Sequence, residues 1–271
     1  MDGTVGYGGH AAELLSGLTQ GMLIGLDRDA TAIQHSGKRF ENIPCVKLVQ
    51  ANYDEFPRVL ETLNIPKVSK ILLDLGVSSL QIDQPGRGFS FQKDGPLDMR
   101  MSSEGVSAED ILNTYTESEL MRIFTEWGDL RYPQKLVTNL LNARTQGLPK
   151  TTLELVQIIK KSFFFKNQRS LFMKTCSQVF QSLRMEVNQE MAHLTQCLEQ
   201  IPLYMKPGGR LAIITFHSIE DRMVKTFFKA RKDSFVPVTK KVISATYAQA
   251  GINPRAKSAK LRLLSYQPIE A

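Results

Sequence analysis

Short apolar runs alternate with helix-like stretches along the first 80 residues. The runs 22–27 (MLIGLD), 46–50 (VKLVQ) and 71–75 (ILLDL) are typical of buried strands. Between the first two runs, residues 30–40 have the spacing of a helix, and Asp29 is placed to cap its amino end. Continuous apolar strands separated by helices predict a parallel sheet with both faces covered.

The pattern becomes helical in the middle of the chain. Residues 83–104 are rich in Gly and Pro and predict loops. Over residues 105–172, four stretches place spaced apolar residues behind a Ser, Thr or Pro start signal. No strand pattern occurs there, so these residues predict a helical insert in an α/β domain.

The α/β pattern returns in the last hundred residues. It predicts a long helix over about 177–203, a strand over 210–216 and a helix over 218–229. Ser218 and Asp221 fit a capping box at the start of the last helix.

Three segments follow from these patterns. Residues 1–104 are predicted to form the first part of the α/β domain, and residues 173–271 its second part, which includes the carboxyl-terminal tail. Residues 105–172 form the insert, which we expect to recognise the substrate.

Composition and cysteine placement exclude several classes of protein. The chain has 271 residues, of which 42% are hydrophobic and 23% charged, as in globular proteins. Its three cysteines are far apart, without a Cys-x-x-Cys pair, which argues against a disulfide scaffold or a zinc ribbon. No apolar run reaches the roughly 18–20 residues of a membrane span. We therefore expect no metal, no membrane contact and a cytoplasmic location.

The positive charge is concentrated at the carboxyl end. The chain carries 34 Lys and Arg against 27 Asp and Glu, a formal net charge of +7. Residues 221–271 hold eleven of the basic residues and three of the acidic ones. A one-sided basic surface fits a polyanion such as nucleic acid, whereas the plain alternative is a solvated surface.

A glycine-rich loop opens the chain. Gly3, Gly6, Gly8 and Gly9 precede a helix predicted over 11–18. Such glycines let a ligand approach the backbone and place N–H groups at a helix start, and the plain alternative is a flexible turn. No strand pattern precedes the loop, so the first strand of the sheet is expected to be missing.

Three polar side chains are expected at the carboxyl edge of the sheet. Asp27 ends a strand about 20 residues after the glycine loop, where an acid can bind ribose hydroxyls. Asp74 ends the third strand, and His217 follows a later one. Loop and acid together favour an adenosine-containing cofactor, either a nicotinamide dinucleotide or S-adenosylmethionine. The structural alternatives are a strand-end turn for Asp74 and a packing role for His217.

Seven motifs resemble the MraW/RsmH family. Two of them are long and specific, DGPLDMRM (94–101) and FHSIEDR (216–222). The others are DGTVGYGGH (2–10), LDRD (26–29), LDLGVSSLQ (73–81), RGFSF (87–91) and NPRAKSAKLR (253–262). Members of this family are S-adenosylmethionine-dependent methyltransferases that modify the exocyclic amine of one cytidine in small-subunit ribosomal RNA.

The resemblance implies a class I, Rossmann-like methyltransferase fold with an inserted helical domain and S-adenosylmethionine as cofactor. It implies methylation of N4 of a specific cytidine, with small-subunit ribosomal RNA as the partner, presented within the small ribosomal subunit. The implied cofactor contacts are Gly8, Gly9, His10, Asp27, Tyr53, Asp74 and Gln81.

The implied chemistry suggests roles for further residues. A cytosine amine is a poor nucleophile and must be held in line with the methyl group. We expect Asp74, or the turn at 76–79 with Ser78 as its side-chain candidate, to accept the amine hydrogens and a proton. The target base must leave its stack. The candidate RNA contacts are Arg87, Arg100, His217, Arg222, Arg255 and Lys257.

The chain departs from the family pattern in two places. The family usually has a helix and the first strand before the glycine loop, and residues 174–178 (KTCSQ) replace a His-Pro-Ala-Thr stretch. Two alternatives to an active enzyme stay open: a catalytically impaired methyltransferase-like protein that binds ribosomal RNA, and a nicotinamide oxidoreductase. A mitochondrial or plastid location and a homodimer also stay open.

Overall fold

The chain forms two compact units in a computed structural model that describes residues 1–102, 104–147, 149–166 and 168–268. The first unit comprises residues 1–76 and 191–271, and the second comprises residues 77–190. The insert predicted at 105–172 lies within the second unit, which is longer at both ends.

The first unit contains the sheet, and most of the second unit is helical. The strands are β1 (Leu23–Asp27), β2 (Val46–Gln50), β3 (Val68–Asp74), β4 (Met205–Thr215), β5 (Phe235–Pro237), β6 (Ile243–Ser244) and β7 (Lys260–Tyr266). The helices are α1 (Gly9–Ser16), α2 (Ala30–Arg39), α3 (Phe56–Thr62), α4 (Ser79–Asp83), α5 (Ala108–Thr114), α6 (Glu117–Glu126), α7 (Gln134–Gln146), α8 (Thr152–Ser162), α9 (Arg169–Val187), α10 (Glu190–Tyr204), α11 (Ser218–Ala230) and α12 (Tyr247–Ile252).

The sheet is parallel where the sequence predicted it. β1 pairs in parallel with β2, and β3 pairs in parallel with β4. β7 is antiparallel to β4, β5 and β6. Four of the five residues of β1 are buried, as expected for a strand covered on both faces. The α/β class is thereby confirmed.

Residues 1–3 lie between β1 and β3. The Asp2 N–H donates to Ile24 O at 2.8 Å, and the Gly3 N–H donates to Leu72 O at 2.8 Å. This ladder joins the β1–β2 pair to the rest of the sheet. No strand precedes the glycine loop within the described residues, as expected, but residues 1–3 lie in the gap between β1 and β3, where Asp2 forms isolated parallel bridges with Gly25 and Leu72.

Side-chain caps define the helix starts. The Asp29 carboxylate accepts the Thr31 N–H at 2.9 Å and caps α2, as predicted. Three helices of the predicted insert begin with capping boxes, which is why their start signals can be recognised in the sequence. These boxes are Ser107–Asp110, Thr116–Glu119 and Thr151–Glu154.

The single helix predicted over 177–203 is wrong, because the structure has two helices there. The Asn188 side chain accepts the Met101 N–H and donates to Met99 O, both at 2.8 Å. Gln189 follows with φ of +49°, a left-handed conformation that ends the helix. The break therefore serves a tertiary contact with residues 99–101. No helix within the described residues is both long and apolar enough to cross a membrane.

Candidate functional site

The carboxyl ends of β1 and β3 bring two predicted acids to one loop. Asp27 is the last residue of β1, and Asp74 is the last residue of β3. The Gly6 N–H donates to Asp27 Oδ2 at 2.9 Å. The Asp74 N–H donates to Thr4 Oγ1 at 2.6 Å. The glycine-rich loop is therefore hydrogen-bonded to both of these residues, to Asp27 through Gly6 and to the backbone of Asp74 through Thr4.

Glycine is required where the loop enters α1. Gly8 caps the helix with φ of +77°, and a Cβ there would lie 2.6 Å from Phe40 Cε2. A Cβ on Gly9, by contrast, would meet no atom of the described residues within 4 Å. The backbone at the start of α1 thus faces open space, and the helix begins two residues before the predicted position 11. Its first N–H groups are suited to a polar ligand.

Asp74 is a mostly buried carboxylate with unused acceptor capacity. Its Oδ2 lies 3.5 Å from His10 Nδ1, and its buried Oδ1 has no hydrogen-bond partner in the described part of the chain. Burial raises the pKa of Asp74 to about 6, against the attraction of His10 and with added repulsion from Asp2 and Glu220. An acid in this state favours a ligand that brings positive charge or a hydrogen-bond donor.

Asp2 is a second buried acid, and it is not among the site residues that the sequence predicted. Its side chain is fully buried, Oδ1 accepts the Thr4 N–H at 3.1 Å, and Oδ2 has no partner among the described residues. Burial raises the pKa of Asp2. The one signal in the sequence that could have identified Asp2 is its position at the start of the glycine motif, residues 2–10. Thr4 therefore contacts two acids, Asp2 through its N–H and Asp74 through its hydroxyl.

Asp27 is anchored through both oxygens. Besides the Gly6 contact, Asp27 Oδ1 accepts the Asp29 N–H at 2.9 Å. Burial is the main cause that raises the pKa of Asp27. Each carboxylate oxygen has a second lone pair, so Asp27 can still accept hydrogen bonds from a ligand hydroxyl.

Tyr53 stands beside the start of the glycine loop. It opens a short 3-10 turn after β2, where its N–H donates to Asn52 Oδ1 at 2.9 Å. A Cβ added to Gly3 would lie 3.2 Å from Tyr53 Cβ, so the two residues are in close contact. The next residue, Asp54, is held by His193 Nδ1 on α10 at 2.7 Å. Packing and an ion pair thus fix the position of Tyr53.

His217 is the residue that caps α11. Its Nε2 lies 2.9 Å from Glu220 Oε1, and Glu220 Oε2 accepts the Phe216 N–H at 2.9 Å. The predicted capping box of Ser218 and Asp221 is wrong, because the helix starts at Ser218 and the capping residue is the one before it. A role of His217 in RNA binding stays a prediction.

Ser78 and Gln81 belong to the second unit and form the capping box of α4. The Gln81 N–H donates to Ser78 Oγ at 3.2 Å, and the Ser78 N–H donates to Gln81 Oε1 at 2.8 Å. Their predicted roles, in cofactor binding for Gln81 and as an acceptor for Ser78, stay predictions.

Arg87 and Arg100 organise the loop that follows α4. Arg87 Nη2 donates to Arg100 O at 3.1 Å and to Met101 O at 3.0 Å. Arg100 binds both oxygens of Asp98, at 2.8 and 2.9 Å, and this contact lowers the pKa of Asp98. Both arginines thus hold the loop, and RNA contact stays a prediction for them.

The other candidate RNA contacts are exposed. Arg222 lies on α11, and Arg255 and Lys257 lie in a 3-10 turn at Pro254–Ser258. All three belong to the basic carboxyl end of the chain.

The chain is similar to known proteins over nearly its whole length. A family model described as the MraW methylase family matches residues 1–267. Ribosomal RNA small subunit methyltransferase H of Clostridium botulinum (strain Loch Maree / Type A3) is 39% identical, over 97% of this chain and 91% of that protein. The Dictyoglomus thermophilum protein of the same name is also 39% identical, over 97% of this chain and 88% of its own. A solved rRNA methylase from Streptococcus thermophilus superposes with a TM-score of 0.45 at 11% identity, covering 98% of this chain and 85% of that one.

Proposed function

The chain belongs to the MraW methylase family, and from this premise we propose that it methylates N4 of one cytidine in small-subunit ribosomal RNA, with S-adenosylmethionine as the methyl donor. The observation that carries the proposal is the pair of buried acids, Asp2 and Asp74, each with an oxygen that has no partner in the described residues. Both lie at the loop where a nucleoside cofactor is expected.

The residues at this edge fit the proposed cofactor. S-adenosylmethionine carries two positive charges, on its sulfonium and its ammonium, and these suit the unpartnered oxygens of Asp2 and Asp74. Asp27 is placed to accept hydrogen bonds from ribose hydroxyls. The open space over Gly9 leaves the helix start accessible to a carboxylate.

The cofactor supplies an electrophilic methyl group when bound, and the protein supplies position and a proton acceptor. Asp74 accepts the amine hydrogens of the base and takes up a proton as the new bond forms. A pKa of about 6 leaves Asp74 ionised at neutral pH yet basic enough for this role.

Neither alternative function is favoured by the site. A nicotinamide oxidoreductase does not accord with membership of a methylase family. Catalytic impairment gains no support either, because residues 1–3 are hydrogen-bonded into the sheet and hold the glycine loop beside Asp27 and Asp74.

The test is methyl transfer from radiolabelled S-adenosylmethionine to small ribosomal subunits from a strain that lacks this activity. Nuclease digestion and mass spectrometry should place the label on N4 of a single cytidine. Subunits from a strain that retains the activity are the control and should accept no label. Cofactor binding without any transfer would favour an RNA-binding protein and overturn the proposal.

A further inference from the structure

Residues 238–259, here named the basic excursion, leave the sheet and return to it. β5 pairs with β7 in antiparallel register, with Pro237 opposite Leu264. The chain leaves β5 after Pro237, contacts the sheet again where Ile243 and Ser244 of β6 pair with β7, and enters β7 at Lys260. Between these points it forms β6, α12 and the 3-10 turn at Pro254–Ser258.

The basic excursion has regular structure but no core. None of its residues is buried. It contains four basic residues and no Asp or Glu. Tyr247, at the start of α12, is 98% exposed and leaves nearly the whole ring open to solvent. A segment with these properties is built to meet a partner rather than to pack against its own domain.

The basic excursion emerges at the sheet edge that carries the candidate site. Thr215, the last residue of β4, pairs with Lys260. Asp74, at the end of β3, pairs with Ile214 of β4. Lys260, where the excursion ends, and Asp74, the proposed proton acceptor, therefore lie at one edge of the sheet, on the two strands that flank β4.

We propose that the basic excursion docks a single-stranded segment of RNA next to the target nucleotide, with Tyr247 as a stacking platform for one base and Lys240 and Lys241 as phosphate contacts. This inference rests on the proposed function. Single-stranded RNA is bound by exposed aromatic rings that stack on bases and by cations that follow the backbone. The lack of acidic residues favours this polyanion over a protein partner, whose surface would offer charges of both signs.

The stacking role is tested by fluorescence anisotropy with a short labelled single-stranded RNA that contains the target cytidine. Tyr247→Ala should weaken binding about tenfold, because stacking on an aromatic ring contributes strongly for each base. Tyr247→Phe, which keeps the ring, should bind like the wild type. Leu203→Ala is the control, since Leu203 is another large exposed side chain, 66% exposed, and lies in the first unit outside the excursion.

The phosphate contacts are tested by the salt dependence of the same binding. The double variant Lys240→Ala/Lys241→Ala should reduce the log–log salt slope by about 1.4, at roughly 0.7 per phosphate on a single strand. Lys67→Ala/Lys206→Ala is the control. Both control lysines are exposed and precede or open β3 and β4 at the opposite edge of the sheet. Their removal should leave the slope within about 0.3 of the wild-type value.

Methyl transfer separates failure of this inference from failure of the proposed function. If the wild type methylates small subunits while Tyr247→Ala binds RNA normally with an unchanged KM, the inference is wrong and the function stands. A raised KM for intact subunits with unchanged binding to protein-free RNA identifies a ribosomal protein as the partner, which also overturns it. Absence of RNA binding by the wild type overturns it as well. Support requires weaker RNA binding and a raised KM for RNA, with cofactor affinity unchanged by calorimetry.

Discussion

Two partly buried carboxylates, Glu186 in the second unit and Asp74 in the first, differ sharply in how many hydrogen-bond partners surround them. Glu186 is 14% exposed and accepts three hydrogen bonds. Its donors are the Tyr115 hydroxyl at 2.9 Å, Arg122 Nη2 at 2.6 Å and Trp127 Nε1 at 2.7 Å. These donors are the residue after α5, a residue of α6 and the residue after α6, and they link the ends of both helices to α9.

Asp74 is 28% exposed; its Oδ2 lies 3.5 Å from His10 Nδ1, and its Oδ1 has no hydrogen-bond partner among the described residues. A buried acid without partners costs free energy, so it is retained where a ligand supplies the missing contacts. Glu186 has all the contacts it needs from within the chain. Whether a carboxylate has hydrogen-bond partners within the chain therefore distinguishes a structural group from a binding group better than its burial does.

The largest effect is expected from Asp74→Asn on methyl transfer. Loss of a proton acceptor should lower kcat about 100-fold, as is usual for a general base. The wild-type kcat/KM, which reports the free enzyme, should rise with pH through about 6, because the acceptor must be ionised, and the variant should lose that rise. Steady-state kinetics across pH 5–8 measure both. Glu126→Gln, an exposed carboxylate on α6, is the control, and an equal loss there would contradict the assignment.

The second effect is on stability. Glu186→Ala should lower the free energy of unfolding by about 2–3 kcal/mol, because three donors lose their acceptor together. Glu126→Ala removes a weaker contact to the same Arg122, at 3.8 Å, and should cost less than about 0.5 kcal/mol. Urea denaturation of the two variants gives the comparison. Similar losses of unfolding free energy in the two variants would show that the buried network stabilises the protein no more than the exposed contact does.

The third predicted effect is a gain, rather than a loss, in the stability of the folded protein. The pKa of Asp74 is raised from 3.8 to about 6, so ionised Asp74 destabilises the folded protein without cofactor. Asp74→Asn should therefore stabilise the protein above pH 6, by about 1–2 kcal/mol, and the gain should vanish below about pH 4, where the carboxyl is protonated in both states. Thermal unfolding at several pH values measures the gain. A gain that does not change with pH would exclude titration of Asp74 as its cause.

The smallest effect concerns Thr4, which links the two unsatisfied acids. Thr4→Val keeps the shape but removes the acceptor for the Asp74 N–H, and should cost about 1 kcal/mol in stability and weaken cofactor binding several-fold. Thr4→Ser retains the hydroxyl and should behave like the wild type. Calorimetric titration with S-adenosylmethionine compares the two. Equal affinity of both variants would show that this link does not organise the site.

Much of the fold and part of the candidate site could be predicted from patterns among residues that are close together in the sequence. Strand runs, the Asp29 cap and three capping boxes depend on residues close in sequence, and all could be predicted. Asp27 could be singled out because an acid at that distance from a glycine loop has a known use. The break at Asn188 could not be predicted, since its cause is a contact with residues 99–101.

The sequence alone determined the α/β class, the glycine loop and the placement of Asp27 and Asp74 at strand ends, because periodicity and short motifs encode them locally. Only the tertiary structure decided that Asp2 bridges β1 and β3 and is buried with an oxygen that has no partner among the described residues. It also decided that Thr4 is hydrogen-bonded to both Asp2 and Asp74. Those facts depend on strands distant in sequence coming together. Hydrogen bonds and burial across such distances leave no periodic trace in the chain.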